Sequence, residues 1–321
     1  MPTEHPQSMT PDQVIAAWRQ FGYTFPEEAF TVAGVPDRAM INRLLLEIKE
    51  VADYPEALDI PGNYWPSLFS LYVLAWHREK RTLAPLKRLF DKTGGDFFEL
   101  WGESISEDAP RLFASWAFAE PEALHPIVAA RPKDYESFRS SALEAYLILF
   151  HAGAVTAGSM RPYLRHLADS VLRKREDSMD GWLWYTWVRC CVDMGLEELY
   201  PLAKEAYDRK WVDPTISGWE HEERELRAGR EAILERSRRE HGGLIENPLV
   251  ELRGWHCFTE EARLEDIQHE REAARRVSGQ QTEELEPFFH PDTIVNENPK
   301  PKPNQPCSCG SGKKYKKCCG R

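Results

Sequence analysis

The chain has 321 residues, 42% of them hydrophobic with 11 Trp and 14 Phe, enough to bury a sizeable core as two ordinary domains or one extended repeat array. Its net charge of −11 disfavours nucleic acid and anionic membrane as partners of the body, so sequence-specific DNA binding is not expected. No apolar run reaches the length of a membrane span and MPTEHPQSMT has no apolar signal core, which predicts a cytoplasmic protein without an integral membrane segment.

Thr10 can cap a first helix, with Pro11 at its first position and Gln13 completing a capping box ahead of Val14, Ile15, Ala16 and Trp18. Asp37 to Val51 repeats Met40, Ile41, Leu44, Leu45 and Ile48 at helical spacing. From there to about residue 240 almost every segment reads as helix, and an internal repeat organises them. LAPLKRLF, LHPIVAAR, MRPYLRHL and LYPLAKEA each place a proline between apolar residues: Pro85, Pro126, Pro162 and Pro201, at intervals of 41, 36 and 39. Leu83, Leu124, Met160 and Leu199 stand two residues before the prolines; Leu86, Ile127, Tyr163 and Leu202 stand one after, on the same helical face. The proline belongs near the first turn, where its missing N–H costs little.

Upstream of each proline lies an apolar helix: Leu68 to Trp76, Leu112 to Phe118, Leu143 to Phe150 and Trp182 to Val192, with breaks such as Gly153 and Gly195. Paired helices recurring at about 40 residues predict an all-α fold, an α-solenoid of helical hairpins, and the apolar-x-Pro-apolar start of the second helix resembles HEAT repeats. Trp182, Trp184, Tyr185 and Trp187 on one helix suit a peptide groove or the repeat core, with core packing favoured. Cys190 and Cys191, in mid-helix, read as core thiols.

A charged helix is predicted from Ser217 to Glu240, supported by Glu223–Arg227 and Glu235–Arg239 and ended by Gly242-Gly243. Its His221-Glu222 lacks the second His of a zinc-protease motif, as does His269-Glu270, so both read as a solvated charged face. Gly243 to Phe258 is a dense apolar patch (Leu244, Ile245, Leu249, Val250, Leu252, Trp255, Cys257, Phe258) expected to fold back over the last repeat. Within it Trp255-His256-Cys257 sets a thiol beside an imidazole, but sequence neighbours rarely face each other, and a core Cys is the better reading. No Ser-His-Asp pattern, dinucleotide fingerprint or kinase signature is present, so an enzyme is the less favoured class. The domain plan is therefore a helical repeat body with terminal cap at 1–258, a polar helix at 259–277, a Pro-, Glu- and Asn-rich flexible linker at 278–305, and a small tail at 306–321.

The tail reads P-C-S-C-G-S-G-K-K-Y-K-K-C-C-G. Cys307, Cys309, Cys318 and Cys319 can supply four thiolates to a soft or borderline divalent metal, most often zinc, and Gly310 and Gly312 permit the sharp turn between the pairs. So small a knuckle would take most of its folding free energy from the metal. Residues 299–321 hold Lys300, Lys302, Lys313, Lys314, Lys316, Lys317 and Arg321 and no acid, a formal +7, leaving −18 (−11 less +7) on the rest.

Cys307 to Cys319 resembles the SEC-C motif, the metal-binding tail of the bacterial preprotein translocase ATPase SecA. There the fourth ligand is commonly His; Cys319 in that place implies all-sulfur ligation and leaves zinc and iron open. The resemblance implies that the four cysteines hold the metal, and that Lys313, Lys314, Tyr315, Lys316 and Lys317 form a face docking on the ribosome, through rRNA phosphates, or on a SecB-like chaperone. Helical body, W-x-C-F patch, tether and SEC-C tail together resemble an uncharacterised bacterial family of helical proteins. The expectation is a cytoplasmic adaptor whose solenoid groove binds a protein client. The alternative is an enzyme or a regulatory or defence module with its site in that groove and the tail as an address.

Overall fold

Thr10 caps the first helix as its spacing predicts. Its hydroxyl accepts from the Gln13 amide at 3.3 Å, and Gln13 Oε1 accepts from the Thr10 amide at 2.7 Å. The computed structural model describes residues 9–20, 24–59, 63–93, 100–130, 136–173, 181–265, 267–268, 271 and 317, and among them all regular structure is helical, with no strand. The chain divides into two units, Met1–Leu264 and Glu265–Arg321. The first holds α1 (Pro11–Arg19), α2 (Glu27–Ala33), α3 (Arg38–Asp53), α4 (Tyr64–Trp76), α5 (Leu83–Thr93), α6 (Glu103–Trp116), α7 (His125–Val128), α8 (Glu136–His151), α9 (Ala157–Leu167), α10 (Gly181–Met194), α11 (Tyr200–Asp208), α12 (Trp219–Ala228), α13 (Arg230–His241) and α14 (Pro248–Arg253).

Four helices form its spine: α4 packs on α6, α6 on α8, and α8 on α10. Leu68 to Ala75 of α4 are buried without interruption, and α10 is buried except at Trp182 and Tyr185. A helix that is apolar around its circumference requires cover on every side. Helices α8 and α10 end on Gly153 and Gly195, whose φ of +77° and +71° turns the chain. Ala154 N then donates to Leu149 O at 2.8 Å and Leu196 N to Cys191 O at 2.9 Å, satisfying terminal carbonyls. Helix α4 ends the same way on Arg78, a non-glycine at φ +55°, with Glu79 N donating to Leu74 O.

The proline-bearing helices follow each turn. Short 3₁₀ turns at Lys80–Thr82, Pro121–Leu124 and Glu197–Leu199 lead into α5, α7 and α11, leaving Pro85, Pro126 and Pro201 in the first turn, as predicted. Pro162 departs from the expectation and lies inside α9. There Thr156 and Ser159 form a capping box, so the lead-in turn is already α-helical and the helix begins ahead of the proline. The repeat's apolar flanks share a face: Leu83, Leu86, Leu124, Ile127, Met160, Leu199 and Leu202 are buried and Tyr163 is half-buried. Trp184 stacks on Trp211 with centroids 4.8 Å apart, and Trp187 Nε1 donates to Leu164 O at 2.9 Å, so both are core residues, while Trp182 is exposed.

Two expectations about the C-terminal third are corrected. The predicted charged helix is two, α12 and α13, broken at Gly229, whose φ of +92° redirects the chain. The apolar patch that follows does not cover the last repeat. α13 packs on α8 and α10, and the chain then returns along the spine to α14, which packs on α2 and α4. Arg111 Nε donates to Gly243 O at 2.9 Å, Ile245 N donates to Ser115 Oγ at 2.8 Å, and Arg78 Nη1 donates to Ile245 O at 2.7 Å. On α8, Glu144 and His151 meet this strap, through His241 and Ser237, on the opposite side from Tyr146, which meets His125 and Tyr163. This face of the spine is therefore covered by the chain itself. Fully apolar central helices leave no other outcome, since an open face would expose them to water. Among the described residues no helix is long and apolar enough to cross a membrane.

Arg78 sets two effects against each other. Arg78→Gly relieves a backbone conformation costing about 1–2 kcal/mol for a side-chain-bearing residue. It also removes hydrogen bonds to Ala75 O, Ile245 O and Glu246, the last at 2.8 Å. The exposed pair with Glu246 contributes little, but a bond made by a charged group to the part-buried Ile245 carbonyl contributes about 1.5–3 kcal/mol, so urea unfolding is expected to show net destabilisation by about 1 kcal/mol or more; a stabilised variant would show that the strap contact contributes little.

Candidate functional site

Two regions carry unusual chemistry. The first begins with a conflict in the sequence of α10, where Arg189 and Asp193 stand one turn apart in an otherwise apolar helix. Burial there is costly unless every charge is paired. The strap supplies the partners. Arg189 Nη1 donates to Glu222 Oε2 at 2.6 Å, and its Nη2 donates to Asp193 Oδ1 at 2.7 Å and Glu225 Oε2 at 2.8 Å. Tyr207 OH donates to Glu222 Oε1 at 2.9 Å. Arg236 of α13 bonds Asp193 and pairs with Glu225 at 2.9 Å. His241 closes the cluster, its Nδ1 2.8 Å from Glu144 of α8 and its Nε2 3.4 Å from Asp193 Oδ2.

The electrostatics follow from this placement. Burial works against a charge on His241, but hydrogen bonds and attraction from Asp193 and Glu144 outweigh it and raise the imidazole to about 9, so it stands protonated at neutral pH. Burial likewise opposes the Arg189 charge, and Asp193 and Glu222 more than restore it. Burial pushes Glu222 up, against the pull of Arg189 and Tyr207, and it lifts Tyr207 well above the usual phenol range. Asp193 and Glu222 have no exposed surface and Arg189 almost none. The shifts of His241, Arg189, Glu222 and Tyr207 thus arise from burial and from the cluster's own charges and hydrogen bonds. The cluster anchors the strap to α8 and α10.

The sequence expectation of a solvated charged helix at His221-Glu222 is thus corrected: Glu222 is the buried partner of Arg189. The readable signal was the pair of opposite charges at i,i+4 inside α10. At Trp255-His256-Cys257 the packing reading stands. Trp255 sits edge-on to Tyr72 at 5.7 Å, His256 is exposed, and burial raises the Cys257 thiol, the reverse of what an activated nucleophile needs. Cys190 and Cys191 are buried, and burial raises both thiols.

The second region is the tail. Cys307, Cys309, Cys318, Cys319, Lys313, Lys314, Tyr315 and Lys316 lie outside the described residues, as do the linker and the His269-Glu270 pair; Lys317 is described and exposed. Among the described residues no group of three or more His, Cys, Asp or Glu side chains is arranged to hold a metal ion. The metal-binding expectation therefore rests on the donor set of the tail, four thiols of the kind that suit zinc.

A family profile described as "Protein of unknown function (DUF1186)" matches residues 9–259, and the SEC-C motif profile matches residues 304–321. The chain is 41% identical over 64 residues to the protein translocase subunit SecA of Syntrophus aciditrophicus (strain SB), covering 20% of this chain and 7% of that protein. It is 35% identical over 83 residues to SecA of Aliarcobacter butzleri (strain RM4018), covering 25% of this chain and 9% of the relative. The chain thus spans less than a tenth of the length of these curated relatives. No solved structure matches it.

The anchor makes two measurable demands. Arg189→Leu leaves Asp193 and Glu222 buried with one cation fewer, and chemical denaturation should show a loss of about 3–5 kcal/mol, the usual effect of breaking a buried ion pair from one side. His241, raised above its ordinary 6.5, contributes stability that is fully present below 6.5 and is lost as pH rises through about 9. Stability of the native chain should fall between pH 7 and pH 10, and His241→Gln should flatten that fall; an unchanged profile would remove His241 from the anchor.

Proposed function

Because the chain belongs to the DUF1186 family of proteins of unknown function and carries a SEC-C motif, we propose that it is a cytoplasmic docking adaptor with a helical body for a protein client and a metal-bound tail for a carrier. The observation that carries this reading is the SEC-C match at residues 304–321, a motif shared with the tail of SecA. Cys307, Cys309, Cys318 and Cys319 would hold zinc, whose binding supplies the folding free energy that so short a segment lacks. Lys313, Lys314, Lys316 and Lys317 with Tyr315 form the docking face, directed at a SecB-like chaperone or at rRNA phosphates on the ribosome. Charge supports this division of labour: the tail is strongly cationic and the body acidic, so the tail is the part steered to an anionic surface.

The body, residues 1–258 in this reading, is a HEAT-like stack of helical hairpins. Its support is the order of contacts along α4, α6, α8 and α10 and the recurrence of the proline-led second helix. Residues 278–305 tether the tail and raise the local concentration of the body wherever the tail docks.

The test compares three versions of the protein: intact, ended after Asn298, and with Lys313, Lys314, Lys316 and Lys317 changed to Ala. The intact chain should co-sediment with ribosomes, or bind purified SecB, more strongly at low than at moderate salt; both altered chains should lose that association while their thermal unfolding stays unchanged. Equal behaviour of all three in both assays would overturn the adaptor reading. Elemental analysis should find about one zinc per intact chain, lost when Cys307 and Cys309 are changed to Ser.

A further inference from the structure

The strap is fastened by different means at its two ends. From Glu222 to Ile245 it is held by buried ion pairs to α10 and by backbone hydrogen bonds to Arg111, Ser115 and Arg78. Beyond Arg253 it packs by rings. Trp255 meets Tyr72 edge-on, and Phe258 lies 5.0 Å from Phe25, 5.9 Å from Trp65 and 6.3 Å from Phe69. The receiving rings are backed by Phe30, which stacks on Phe25 at 4.9 Å and meets Phe69 at 4.9 Å. The pocket is therefore an aromatic surface made by Phe25, just ahead of α2, and by rings of α4, and the strap inserts two aromatic side chains three residues apart.

Trp255 and Phe258 are both half-buried, and no residue of the 3₁₀ turn His256–Phe258 is buried. A cleft of about 630 Å³ opens against Phe258, lined by Phe25, Glu27, Arg253, Thr259 and Arg263. Ring packing is non-directional, and an equivalent ring can replace the resident one without leaving a buried charge unpaired. Releasing the other end would strand Asp193 and Glu222 in a dry interior. Opening the aromatic end therefore costs less than opening the ionic end.

We propose that the pocket of Phe25, Trp65, Phe69 and Tyr72 is a peptide-docking site, occupied at rest by the chain's own Trp255-x-x-Phe258 and accepting in its place a partner peptide with two aromatic side chains three residues apart. The resident segment is the template for that partner, since it shows which side chains the surface accepts and at what spacing. Being tethered, it competes at high effective concentration, so the intact chain binds such a peptide weakly and gains affinity when the resident is displaced. This inference rests on the adaptor reading and gives its client a chemical identity.

The probe is a fluorescein-labelled peptide with the sequence of residues 251–261 and Ser in place of Cys257, titrated with full-length protein by anisotropy. The full-length Trp255→Ala, Phe258→Ala variant should bind it saturably and at least tenfold more tightly than the native chain. The same peptide with Ala at both aromatic positions should not bind. No saturable binding by the variant, or equal binding of the ring-less peptide, overturns the proposal. Should the variant fail to fold by circular dichroism, hydrogen exchange on the native chain decides: amides 255–258 should exchange at least a hundredfold faster than those of residues 236–241, and equal protection overturns the proposal. Neither measurement involves the tail and the docking assays do not involve the pocket, so the two readings fail separately.

Discussion

The interaction on which the rest of the body depends is the desolvation of Arg189. A guanidinium placed in the middle of a buried helix is tolerable only if carboxylates surround it, and α10 itself supplies Asp193 alone. Glu222 and Glu225 must come from elsewhere in the chain, which fixes α12 against α10. Asp193 in turn draws Arg236 and His241 from α13, and His241 reaches Glu144 on α8. Satisfying one cation therefore brings together α8, α10, α12 and α13. An apolar residue of similar volume would not impose that arrangement, because hydrophobic contact accepts many registers and a hydrogen-bonded charge few.

From that anchor the direction of the strap follows. With α13 fixed across α8 and α10, Gly242 at φ +64° turns the chain along the spine. Arg111, Ser115 and Arg78 then offer polar groups at successive positions, and Ile245 uses both its N–H and its C=O there. The spine needs this cover. Helices α4 and α8 are largely buried, and the helices before the strap, α1 and α3 on α4 and α7 on α8, protect part of each only. The strap is as much core as cover.

What the sequence made legible divides along a physical line. Local determinants were readable: the Thr10 box, Gly153 and Gly195 as helix ends, and the apolar flanks of the four prolines, each set by residues within a turn of one another. Pro162 escaped because a second local signal, the Thr156 and Ser159 box, acted on the same segment. Long-range pairings were not readable. Arg189 and Glu222, or Arg111 and Gly243, are far apart in the chain and carry no mutual signature. Glu222 looked like one acid among many on a charged helix, and only its partner's burial distinguishes it. Of the proposed metal site, residue identity and spacing were legible at Cys307 to Cys319.

The self-filled spine changes where binding surface is to be sought. A helical array with an open face can recognise partners along its length, and one whose face is covered by its own chain has only its surfaces and its least firmly held contacts. In this molecule charge and packing separate those roles. The ionic end of the strap holds structure, since opening it exposes several unpaired charges at once, whereas its aromatic end offers the same chemistry to an incoming ring as to the resident one. That exchangeable end lies next to Leu264, where the first unit ends. Within the first unit the strap is thus held by charge at its start and by rings near its end.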